Sequence, residues 1–216
     1  MAVGTSHFQG VWLQGRLFRT SHWRISTNDG IPDLVFMISP ANTAPNTFLS
    51  LGNGNGTFQT VSTLLLTTQN PDGIAVADVN KDGLLDIIVD DNGAPGTPSG
   101  SIQIALQRPG GSFVHVGTLG QFNPTGVIAV DLDGDGNVDI GATGTINGQD
   151  LFNVFPGRGD GSFFAPAQFP VPAGVLHPIA AHLTDTVAFD AITSGISANQ
   201  ISVLVNHGAN TLRHRR

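Results

Sequence analysis

The sequence predicts an all-β fold, a β-propeller of repeated four-stranded antiparallel blades, and three observations carry that prediction. Two nine-residue acidic loops of one pattern start 53 residues apart, at Asp78 and at Asp131. A glycine-rich turn that ends in an aromatic residue recurs in step with them. Apolar residues never keep helical spacing beyond two turns, whereas runs of period two such as Ile102-Gln-Ile104-Ala-Leu106 are frequent.

Each unit reads as four strands. The first enters the acidic loop, as Gly73-Ile-Ala-Val-Ala77 does, and the second leaves it, as Ile87-Ile-Val89 and Ile140-Gly-Ala142 do. The third alternates in Phe48-Leu-Ser-Leu51, Ile102 to Leu106, Leu151-Phe-Asn-Val154-Phe155 and Ile201-Ser-Val203-Leu-Val205, so one of its faces is buried. A glycine turn follows, and the fourth strand starts at its aromatic: Gly56-Thr57-Phe58, Gly111-Ser112-Phe113, Gly161-Ser162-Phe163 and a worn copy at Thr211-Leu212. The phase predicts one domain over 1–216 with repeats at about 20–64, 72–119, 125–170 and 177–212 plus 6–18. Residues Ser6 to Leu13 match the phrase from Gly56 onward, so this N-terminal segment is expected to supply the last strand of the last sheet and close a ring.

The acidic loops carry the chemistry. Asp78, Asn80, Asp82 and Asp86, with the carbonyl of Leu84, and Asp131, Asp133, Asp135 and Asp139, with Asn137, place hard oxygens at positions 1, 3, 5, 7 and 9. Glycine at position 6 supplies a left-handed turn, and a Ca²⁺ ion is expected in each loop, two in all. An EF-hand would need glutamate at position 12 and flanking helices, but position 12 is Val89 or Ala142 and the flanks read as strands. The ion would therefore clip a hairpin shut. In the first unit the loop from Ile25 to Asp33 keeps positions 5, 6 and 9 only, so weak or no metal is expected there, and in the fourth, from His182 to Asp190, a single carboxylate aligns and the loop is expected to be metal-free.

These residues resemble the FG-GAP or VCBS repeat family, which includes integrin α-chain propellers and fungal propeller lectins. The likeness rests on the two acidic loops, on Leu51-Gly-Asn-Gly-Asn-Gly-Thr-Phe58 and on Gly93-Ala94-Pro95, and it extends over nearly the whole chain. It implies blades whose first and second strands are tied by calcium on one face.

Composition narrows the function. Net charge is −7, and 7 of the 16 acidic residues lie in the two loops, so nucleic acid is not an expected partner. Without cysteine there are no disulfides or thiol nucleophiles. No run is long and apolar enough for a membrane span, no secretory signal opens this chain, and calcium loops of this kind fill outside cells, so an extracellular or periplasmic setting is expected. The seven histidines never pair at ligand spacing, Trp12 and Trp23 align with valines that pack, the tail Arg213 to Arg216 reads as a frayed end, and no catalytic motif is present. The expected function is a calcium-stabilised binding module for a glycan or an extracellular protein. Two alternatives stand beside it: self-association into a larger ring and, with less support, a carbohydrate lyase or dehydratase.

Overall fold

A computed structural model describes residues 22–25, 27, 29–37, 47–60, 62–64, 66, 68, 70–93, 99–184, 188–206 and 212–214. Among them every regular element is a strand. The first sheet holds β1 (His22–Ile25), β2 (Asp33–Met37), β3 (Thr47–Ser50) and β4 (Ser62–Thr63). The second holds β5 (Pro71–Ala77), β6 (Asp86–Asp91), β7 (Ser101–Gln107) and β8 (Phe113–Leu119). The third is β9 (Asn123–Val130), β10 (Asp139–Ile146), β11 (Gln149–Phe155) and β12 (Ala167–Pro170), and the fourth β13 (Val175–Ala181), β14 (Asp190–Gly195), β15 (Gln200–Asn206) and β16 (Leu212–His214). Each is an antiparallel meander whose strands follow in chain order.

The fourth sheet corrects one expectation. Its outer position is taken by β16, which pairs Asn206 with Leu212 and Leu204 with His214. The worn turn after Asn206 thus still delivers the chain's own C-terminal strand, because Leu212 sits at the register that Phe58, Phe113 and Phe163 hold elsewhere. The N-terminal strand assigned to that place, residues 6–18, lies outside the described residues, as does Trp12.

Alternation along the strands decides how the sheets stack. Residues at +1 and +3 from the aspartate that opens each second strand point to one face, and residues at +2 to the other. Val35, at +2 from Asp33, clusters with Ile87, at +1 from Asp86. Ile88 clusters with Ile140 in the same sense, and Val154, paired to Gly141, clusters with Ala191. Ile87, Ile88 and Ile140 are wholly buried, and each such side chain contributes about 1.5–3 kcal/mol relative to exposure. The first strands of neighbouring sheets lie closest together, β5 on β9 and β9 on β13, with β1 touching β5. Among the described residues no comparable packing joins the fourth sheet to the first, so the expected closed ring is not formed there.

The first strands of the last three sheets also share a register shift at the end away from the acidic loop, between Pro71 and Ile74, opposite Thr143/Gly144, and between Leu176 and Ile179. The bulge in β5 wraps Asp90, whose Oδ1 accepts the N–H groups of Asp72 and Gly73. Its Oδ2 is buried without a partner. A side chain at Gly73 would press on that oxygen at 2.9 Å, so glycine here makes room for the carboxyl.

Candidate metal centre and the aspartate staple

Four aspartates at loop position 9 do the same structural work. Asp33, Asp86, Asp139 and Asp190 are all buried. One carboxylate oxygen accepts a backbone N–H from the start of the acidic loop: Thr27 at 2.8 Å, Val79 at 3.0 Å, Leu132 at 2.8 Å and Leu183 at 2.9 Å. The other accepts an N–H from the end of the third strand: Gly52 at 2.8 Å, Gln107 at 2.9 Å, Gly157 at 2.7 Å and Asn206 at 2.7 Å. One side chain thus fastens the loop, the second strand and the turn after the third strand. The donors would be orphaned without it, and an unpaired buried polar group costs about 1–3 kcal/mol.

The turn that follows is equally regular. Asn53, Arg108 and Arg158 donate their N–H to the carbonyls of Thr57, Ser112 and Ser162, and the next residue is the phenylalanine. Phe58, Phe113 and Phe163 then pair across to Gly52, Gln107 and Gly157, the residues whose N–H the aspartates hold. Gly157 is there for close approach, since a Cβ would fall 2.1 Å from the Val138 carbonyl oxygen, and Gly52 meets Pro32 oxygen in the same way at 2.2 Å. Gly157→Ala should therefore cost about 1–3 kcal/mol through forced backbone movement, whereas Gly117→Ala, with open space around its Cβ, should change stability by less than about 1 kcal/mol. Urea unfolding of both variants checks the pair.

Within the loops the left-handed turn at position 6 is present, with φ of 84° at Gly83 and 85° at Gly136. Position 4 is left-handed too, at Lys81 with φ 59° and at Gly134 with φ 81°. Asp131 Oδ1 and Oδ2 accept the N–H groups of Gly134 and Gly136 at 2.6 and 2.9 Å, which folds the loop inward. As a result Asp131, Asp133 and Asp139 each bring an oxygen within 4.8 Å of the others. That span is about twice a Ca²⁺–oxygen distance of about 2.4 Å, so one ion can touch all three, and the all-oxygen donor set fits Ca²⁺. Asp135 adjoins Asp133, to whose Oδ1 it donates its N–H at 3.0 Å, but is not one of the three convergent carboxylates; its Oδ1 accepts the N–H of Asn137 at 2.7 Å and its Oδ2 the side-chain amide of Asn137 at 2.8 Å.

The first full loop is arranged differently. Asp78 accepts the N–H groups of Asp82 and Gly83, and the Asn80 amide donates to Asp82 Oδ2 at 2.9 Å. Asp78, Asp82 and Asp86 do not gather as the second set does. Leu84 is buried, and the loop lies against the third sheet, where Gly161 donates its N–H to the Val79 carbonyl at 3.1 Å.

Burial sets the electrostatics. Removal from water pushes Asp86 and Asp139 up to about 6, against the pull of their backbone donors, and neighbouring loop carboxylates add to the rise. Asp133 is raised by the same cause. A divalent cation would oppose all of these shifts, because opposite charge favours the ionised form.

Sequence reasoning expected a metal ligand at position 9 and missed the staple, although the persistence of the aspartate at Asp33 and Asp190, where other ligand positions are lost, was the available signal. Of the histidines with described side chains, His182 rests on Phe189 with ring centres 4.0 Å apart, and His177 is exposed. No protein of known annotation matches the chain. The family described as the FG-GAP-like repeat matches residues 27–89, from the first loop through the glycine turn and the Asp78 loop into β6. Over that stretch the chain is similar to the FG-GAP-like repeat.

Proposed function

We propose that the chain is a calcium-stabilised binding module whose four sheets are consecutive blades of a β-propeller, displaying the loops between sheets to a glycan or protein outside the cell. The observation that supports it best is the gathering of Asp131, Asp133 and Asp139 in a loop pinned at both ends. An ion there joins the end of the first strand to the start of the second, and its role is to hold the scaffold. The loop in the second sheet, from Asp78 to Asp86, is the other proposed site, with Asn80, Asp82 and the Leu84 carbonyl as further donors.

Two exposed aromatics favour a ligand face beside the glycine turns. Phe58 is 48% and Phe164 52% exposed, and the Arg158 guanidinium lies 4.2 Å from the centre of the Phe164 ring. An aromatic plane beside a cation and hydroxyl-bearing turn residues suits a sugar, which offers apolar ring faces and hydroxyls together.

Asp131→Ala should reduce bound calcium from two ions to one and remove most of the calcium-dependent rise in melting temperature. Calorimetric melts in millimolar calcium and in chelator check this, and identical curves for both proteins would reject the site. A glycan array and an extracellular-protein pull-down in millimolar calcium test the binding role, and blank results in both would reject it.

A further inference from the structure

The three glycine turns close in the same way, but only one of them carries an amide at its tip. Asn55 in the first sheet aligns with Gly110 in the second and Asp160 in the third, each two residues before the threonine or serine whose carbonyl closes the turn. Asn55 Oδ1 accepts the N–H of Thr57 at 3.0 Å and its hydroxyl at 2.6 Å. Asp160 Oδ1 does the same for Ser162, at 2.9 and 2.6 Å. The fold therefore uses an oxygen at this place and makes no use of a nitrogen. Among the described residues the Asn55 Nδ2 has no partner.

The hydroxyl beside it is held from a second side, since Asn53 Nδ2 donates to Thr57 Oγ1 at 2.9 Å. Asn55-Gly56-Thr57 is an asparagine two places before a threonine with no proline between them, and no other asparagine in the chain begins such a triplet. Asn123-Pro124-Thr125 comes nearest and has the forbidden proline. All three residues of the triplet are exposed, and a Cβ at Gly56 would meet nothing within 4 Å, so the tip is open to a bulky group.

We infer that Asn55 is the acceptor of an N-linked oligosaccharide. The donor is an oligosaccharide carried on a polyprenyl pyrophosphate, met on the route out of the cell. Nδ2 bonds to the anomeric carbon of the first sugar, and the bond from that carbon to the pyrophosphate oxygen breaks. Its electron pair leaves with the pyrophosphate, and the amide gives up one of its two protons to solvent. Oδ1 is untouched, so both bonds to Thr57 survive the modification. The added sugar occupies the approach to Phe58 and leaves the Arg158–Phe164 turn as the open face. The inference shares with the proposed function its setting outside the cell and not its ligand.

The full chain, directed through the secretory route of a eukaryotic cell, tests this, with secreted and retained protein read alike. One oligosaccharide is expected, released by an amidase specific for the linkage to asparagine and located at Asn55 by peptide mass spectrometry. Asn55→Asp should abolish it with an unchanged circular dichroism spectrum, because Asp160 shows that a carboxylate closes the same turn. Thr57→Ala should abolish it too, and Thr57→Ser should retain it. A wild-type chain without the oligosaccharide overturns the inference, as does an oligosaccharide that survives Asn55→Asp or Thr57→Ala. Glycosylation at Asn55 beside a blank glycan array and pull-down would uphold this site and reject the binding role.

Discussion

Asp190→Ala is expected to lower stability by about 3–5 kcal/mol while leaving the metal content unchanged. The side chain is wholly buried, and three donors converge on it: the N–H of Leu183, the N–H of Asn206 and the hydroxyl of Thr184 at 3.3 Å. Alanine leaves them without that acceptor in a space too small to hydrate freely. A loss of that size is a large fraction of the 5–15 kcal/mol that holds a typical domain, and in a chain of this length it corresponds to a fall of roughly 10 °C in melting temperature. The fourth loop offers no set of carboxylates that a cation would bridge, so the loss should be the same in calcium and in chelator. A melting point within two degrees of wild type would show that the bonds to Asp190 are dispensable, and a lost ion would show that its loop binds metal.

The second large effect concerns pH and Asp90. Burial pushes this carboxyl up to about 7, and the nearby charges of Asp72 and Asp91 add to the rise, while the N–H groups of Asp72 and Gly73 oppose it. The folded protein therefore holds this proton more tightly than the unfolded chain, whose ordinary value is 3.8. Below that value the group is neutral in both states and costs nothing extra. As pH rises from about 4 to about 7 the folded state loses this advantage, and above 7 it carries a buried charge. Asp90→Asn keeps an oxygen for both N–H donors and cannot ionise. At pH 8 it should be more stable than wild type by roughly 4 kcal/mol, and at pH 4 nearly equal, because the neutral acid and the amide leave a similar polar atom unpartnered. Denaturant titrations at the two pH values decide it, and a constant difference between the proteins would contradict the assignment of the slope to Asp90.

How much of this could be read beforehand differs from element to element. The strands around Asp78 and Asp131 and the turns before Phe58, Phe113 and Phe163 were legible, because local chemistry fixes them: alternating apolar residues, glycine where φ is positive, and short polar side chains that close a turn on the backbone. Gly134 and Lys81, in the left-handed region at loop position 4, were passed over because the ligand pattern alone does not constrain that position. The burial of Asp90 was not legible either. Its neighbours Ile88 and Val89 read as an ordinary strand, and the desolvation comes from the bulge of β5 and from β9 of the next sheet, which sequence spacing does not bring together. The fourth strand at Leu212–His214 was misassigned because its turn had lost both the glycine run and the aromatic that mark the others, while its pairing to β15 survived.

The same contrast explains why the staple went unread beside the expected ligand. Asp86 and Asp139 occupy a position where a calcium ligand and a backbone acceptor look alike in sequence. Geometry separates the roles, since Asp33 and Asp190 keep both backbone bonds in loops that have lost most of the other oxygens. Fastening the hairpin to its sheet is the work common to all four positions, and the proposed cation sites are the loops where the remaining carboxylates are present.

Native mass spectrometry of the wild-type chain in calcium weighs that division of labour most directly, because it counts ions per chain without assuming where they sit. Two calcium ions are expected, one for each loop that retains its acidic set. No bound calcium, or four ions spread over every stapled loop, would contradict it.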